Sequence, residues 1–149
     1  LNGEAEEIRD LALFGVFGGA INATDGNHTY FLYPEDMEDQ PIFEYTLMPM
    51  HSTSLFEVRE LEHAELVRGF DFTKGAPLLK VPALKDAKRP PMQGGGFAET
   101  HTRLYDLNDD PKQDSPVRNA EIEAWFDNKI RCEMQRHEVP NEAYSRFGL

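Results

Sequence analysis

Residues 11–33, LALFGVFGGAINATDGNHTYFLY, constrain the fold more than any other stretch. Apolar residues run over 11–16, the pair Gly18-Gly19 interrupts them, and Ile21 resumes. Asp25-Gly26 separates this run from residues 29–33, which are rich in aromatic and β-branched side chains. Glycine accepts the positive φ of a tight hairpin turn, so Asp-Gly between two such runs predicts two adjacent antiparallel strands. Within them Gly18-Gly19 reads as a bulge or a close backbone approach.

The rest of the chain adds strands before helices. Further strands are predicted over 43–48, 65–72, 78–81 and 100–107, with Leu66, Phe70 and Phe72 sharing the parity of one strand face. Ser54 and Glu57 have capping-box spacing, which predicts a short helix over 55–62 with Leu55, Val58 and Leu61 on one side. Ser115-Pro116 reads as the start of the one long helix, running to about His137. In it Ile122, Phe126, Ile130 and Met134 repeat every four residues with Trp125 beside them, a stripe suited to lying on a sheet. Tyr144 and Phe147 are placed to pin the tail. Residues 34–41 form an acidic, proline-bounded loop, and residues 85–96, with two prolines and three successive glycines, form a flexible one. This order predicts an α+β domain: an antiparallel sheet of about four to six strands packed by the long C-terminal helix, with one short helix between strands. The polar segment 1–10 reads as a linker from an upstream domain, and 11–149 as the domain itself.

With 149 residues the chain suits one domain with a real core. Its 27 acidic side chains against 15 basic ones leave a formal charge of −12, which argues against nucleic acid and anionic membrane surfaces as partners. A single cysteine, Cys132, excludes an intrachain disulfide and fits a cytoplasmic setting. No apolar run reaches the ~20 residues of a membrane span.

The residues alone show no catalytic constellation. Phosphate-loop, zinc-protease and serine-hydrolase motifs are absent from the sequence. The five histidines are scattered and read as surface or capping groups, although a small metalloenzyme using them is conceivable. Cys132, between Arg131 and Glu133, reads as a half-buried helix residue rather than a nucleophile. The cluster Glu35, Asp36, Glu38 and Asp39 lacks the spaced ligands of a calcium loop. Lys74, in a turn between strands, is placed to meet an anion or simply to close the turn. His51 faces a pocket or caps the next helix.

Four blocks taken together, ALFGVFGGAINATDGNHTYF, FEYTLMPMHS, FDFTKG with LLKVPA, and LYDLNDDPKQ, resemble the C-terminal region of bacterial sulfatases of the alkaline phosphatase superfamily, in the arylsulfatase and phosphonate monoester hydrolase branch. The blocks occur in order and span about 11–130. The resemblance implies a C-terminal subdomain that completes the fold and the substrate-pocket rim of a sulfuric ester hydrolase and is inactive alone. Its partner would be the N-terminal catalytic domain of the same polypeptide, and its substrate a small sulfate ester. The family's formylglycine nucleophile and its divalent metal (calcium or similar) would lie in that N-terminal domain, so no cofactor and no catalytic or metal-binding residue is expected here. Cys132 is followed by Glu-Met-Gln and not by the Cys/Ser-x-Pro/Ala-x-Arg motif. His51 and Lys74 are the pocket-edge candidates. Phe17 stands where the family often has histidine before the glycine pair. The alternative is a self-standing binding module with the same α+β fold; oligomeric state is left open.

Overall fold

The computed structural model describes residues 9–37, 42–51, 53–83 and 100–149. Residues 1–8 of the expected linker, residues 38–41 of the acidic loop and the whole of the 85–96 loop lie outside these.

The 11–33 stretch forms three strands, β1 (Ala12–Gly15), β2 (Ile21–Thr24) and β3 (His28–Leu32), each antiparallel to the next. Asp25-Gly26 makes the expected turn: Gly26 has φ 91°, and Asp25 Oδ1 accepts the backbone N–H groups of Asn27 and His28 at 2.9 and 2.6 Å. The glycine pair is not a bulge. Gly18 adopts φ 73°, and the Gly19 N–H donates to the Val16 carbonyl at 3.0 Å, so the chain reverses there and two expected strands become three. A later strand, β7 (Arg103–Asp106), pairs with β3 and completes a four-stranded sheet of order β1-β2-β3-β7.

Register places Leu13, Ala23, Tyr30 and Leu104 in one row across this sheet. The long helix α2 (Ala120–Arg136) covers that face, burying Phe126, Ile130 and Met134 against Ala23, Tyr30, Leu32 and Leu104. The four-residue stripe therefore does what its spacing predicts. Phe126 stacks on Tyr30 with ring centroids 5.4 Å apart, and the Tyr30 hydroxyl donates to Asp127 Oδ1 at 3.0 Å.

The start of α2 differs from the Ser115-Pro116 expectation. Asn119 is the N-cap: its side chain accepts the N–H groups of Glu121 and Ile122, and its own N–H donates back to Glu123 Oε1 at 3.2 Å. This reciprocal cap satisfies three donors, which a Ser-Pro pair cannot match. Residues before it extend the sheet instead, with the Val117 N–H donating to the Leu104 carbonyl at 2.8 Å.

A second, three-stranded sheet has order β4-β6-β5, from β4 (Phe43–Thr46), β5 (Glu65–Val67) and β6 (Leu78–Pro82). The predicted 65–72 strand stops at Val67, and Asp71–Thr73 is a 3₁₀ turn. Helix α1 (Val58–Leu61) is a single turn capped reciprocally by Glu57 and Glu60, not by Ser54; Leu55 instead bridges Met50. Its orientation is the reverse of the amphipathic expectation, for Glu60 is buried while Leu55, Val58 and Leu61 are exposed. The tail forms a further helix, α3 (Asn141–Phe147), whose Ala143, Tyr144 and Phe147 pack against the core. The α+β class holds, with the antiparallel strands divided between two sheets.

Two outcomes follow from this core. Phe126→Ala removes a fully buried, stacked ring and should cost about 3–5 kcal/mol in urea denaturation. Burial, reinforced by Glu123, holds the Asp127 carboxyl above its usual range despite the Tyr30 hydroxyl and Arg131. A carboxyl raised in the folded state favours folding while protonated, and that contribution fades as pH rises through its folded value. Asp127→Asn keeps an acceptor for Tyr30, so its stability should gain on wild type as pH rises from about 3 to about 7. Denaturation midpoints across that range check the sign.

Candidate functional site

A groove of about 250 Å³ opens where the β1–β2 turn, β4 and α3 meet. Val16 and Phe17 form one wall, Ile42 and Phe43 another, and Ala143 and Phe147 line the α3 side. Gly18 is tied into this corner by Arg146, a buried residue whose guanidinium donates to the Gly18 carbonyl at 3.1 Å. At the groove's polar end the Tyr45 hydroxyl donates to Glu142, and Lys80 Nζ pairs with the same carboxylate at 2.8 Å. Lys80 also lies over the Phe43 ring, 4.1 Å from its centroid. Burial opposes ionisation of Glu142, but Lys80 and Tyr45 outweigh it and hold the carboxyl below its usual range. The Glu142 carboxylate raises Lys80 in return, and burial raises Tyr45. The groove is thus an apolar cleft whose charges are mutually engaged. Sequence reading missed it. Its signal was present in Pro140 and Gly148, which bracket a short helix, and in the four-residue spacing of Val139, Ala143 and Phe147.

His51 and Lys74 do not line that groove. His51 sits between β4 and α1. Its Nε2 is 2.8 Å from Glu60 Oε1, its Nδ1 is 3.6 Å from Glu44 Oε2, and the Phe56 ring meets it edge-on at 4.4 Å. Its imidazole lies between two carboxylates, one on β4 and one on α1. Lys74 is the left-handed residue (φ 53°) that ends the 3₁₀ turn, with its side chain exposed. The loop below it is tightly made: a Cβ on Gly69 would fall 2.0 Å from the Ala76 carbonyl oxygen, and the Thr73 hydroxyl reaches the Phe70 carbonyl at 2.8 Å. The Asp71 N–H is fixed by Glu138 Oε2 at 2.7 Å.

Cys132 is exposed on α2 rather than half-buried, in a shallow cleft with Trp125 and Lys129. Lys129 in turn pairs with Asp10. His28 lies against Asp25 at 3.3 Å, and His137 against Glu133 at 3.5 Å, so two of the scattered histidines contact a local carboxylate. Among the described residues no group of three or more His, Cys, Asp or Glu side chains is arranged to hold a metal ion. The described residues therefore do not fit the divalent metal that the resemblance implies for the whole enzyme. No helix among them is long and apolar enough to cross a membrane.

Glu142→Ala removes the acceptor shared by Tyr45 and Lys80 and should cost about 1–2 kcal/mol near neutral pH. A carboxyl lowered in the folded state stabilises above its unfolded value and loses that contribution as pH falls through the lowered one. The deficit of the variant should accordingly shrink below about pH 4, as denaturation at several pH values would register. In comparisons with known proteins, no family model, no curated protein and no solved structure matches this chain.

Proposed function

We propose that this chain is the C-terminal subdomain of a sulfatase-like hydrolase, completing the fold and the pocket rim of an enzyme whose nucleophile and metal belong to another domain. The observation that carries this reading is the exposed apolar run Leu13, Phe14, Val16 and Phe17, 40, 45, 55 and 66 % exposed. It lies on an edge strand and the turn after it, inside the first of the four blocks that resemble the sulfatases. A self-standing module gains nothing by presenting consecutive large apolar side chains to water, whereas a subdomain keeps such a surface for the half it packs against.

On this reading the described residues contribute packing and shape rather than bond-breaking. Lys74 offers an ammonium on a rigid turn at the rim, suited to a sulfate oxygen, and His51 organises the neighbouring β4–α1 corner. Phe17 replaces a family histidine with an apolar ring, which favours an apolar ester portion over a polar one at that position.

Two measurements test the proposal. The coding sequence upstream of Leu1 should specify a Cys/Ser-x-Pro/Ala-x-Arg motif in frame, and the isolated chain should show no turnover of an aryl sulfate. An upstream frame without the motif, or sulfate release by the chain alone, would overturn it.

A further inference from the structure

We propose that β1 takes its second neighbour from another domain: an uncharged, extended strand of the upstream domain pairs with its open edge and carries the four-stranded sheet across the domain boundary. This rests on the reading of the chain as one subdomain of a longer hydrolase. Among the described residues, the order β1-β2-β3-β7 leaves β1 at one end of the sheet, whereas the other end is extended by the Leu104–Val117 bridge. In an antiparallel sheet, alternate backbone N–H and C=O groups of an end strand point away from its single neighbour and offer a template for pairing.

The composition of β1 decides what fits that template. End strands are commonly guarded against pairing by a charge, a proline or a bulge. Strands β4 and β5, at the two ends of the other sheet, carry Glu44 and Glu65, and β7 carries Arg103 and Asp106. Strand β1 reads Ala-Leu-Phe-Gly, and residues 11–24 hold no charge at all in a chain of net charge −12. Its side chains are also apolar on both faces. Leu13 lies in register with Ala23 on the α2 side, and Phe14 lies on the opposite face, edge-on to Phe31 at 6.2 Å. An apolar run without alternation belongs to a strand covered on both faces, yet Leu13 and Phe14 are both exposed. A strand laid along β1 would cover both side chains and pair the outward backbone groups at once. Charged side chains on that strand would be buried unpaired beside Leu13 and Phe14, so the occupant is uncharged.

Amide hydrogen exchange in the intact polypeptide, the region encoded upstream of Leu1 included, tests the pairing. The amides of Ala12–Gly15 should all exchange as slowly as those of β2, within about tenfold. Phe14→Lys sets a charge at the junction and should speed exchange in β1 by about 100-fold while leaving β3 and β7 unchanged. Leu66→Lys, on the exposed end strand of the other sheet, should leave β1 as in wild type. Fast exchange at alternate amides of β1 in wild type, or protection that survives Phe14→Lys, would overturn the proposal. An upstream region that protects β1 but lacks the Cys/Ser-x-Pro/Ala-x-Arg motif would sink the sulfatase reading and leave the strand pairing standing; an unprotected β1 downstream of that motif would do the reverse.

Discussion

Three side chains four residues apart at the end of the chain hold the structure together. Glu138 accepts from the Asp71 backbone beyond β5, Glu142 accepts from Tyr45 and Lys80 of the three-stranded sheet, and Arg146 donates to the Gly18 carbonyl at the corner of the four-stranded one. Val139, Ala143 and Phe147, interleaved with them, pack on the core under α2. Among the described residues no strand of one sheet pairs with a strand of the other, so this segment is the strap between the two layers. Because Lys80 of β6 pairs with the strap and Arg146 belongs to it, positive charges in a chain of net charge −12 serve internal cohesion.

The elements that the sequence made legible are those whose signal is periodic and local. The i, i+4 stripe of α2 names its own buried face, and Asp25-Gly26 sets a turn by backbone chemistry alone. Helix starts were harder because capping motifs overlap. Ser54 to Glu57 and Glu57 to Glu60 both have the right spacing, and a tertiary partner decides between them: His51 draws Glu60 inward, and the helix begins after Glu57. The same competition moved the start of α2 from Ser115 to Asn119, where Glu123 closes the cap. Burial of Glu60 instead of Leu61 was not readable at all, since it depends on a histidine nine residues earlier in the chain.

The groove was illegible for a related reason. Its lining comes from the turn at 16–20, from β4 and from α3, and no local pattern announces that these meet. Val16 and Phe17, the end of the exposed run over Leu13 to Phe17, form one side of it, so the apolar surface proposed to receive a second domain adjoins the cleft. A partner seated on the run would roof the groove, turning an open cleft into a walled one. Glu142 would then lose solvent, and its existing pairs with Lys80 and Tyr45 mean that it would not be buried uncompensated.

His51 and Lys74 came out of the sequence as equals, and the structure separates them on electrostatic grounds. An anion approaching His51 comes within reach of Glu44 and the buried Glu60, two carboxylates within 3.6 Å of the ring, whose charge opposes a sulfate oxygen there. Lys74 extends into solvent from a backbone held by the Gly69 close approach, the Thr73 hydroxyl and Glu138. Its reach is flexible but its base is not, and a cation anchored in that way gives up less freedom on meeting an oxyanion. Within the proposed enzyme the anion contact therefore falls to Lys74.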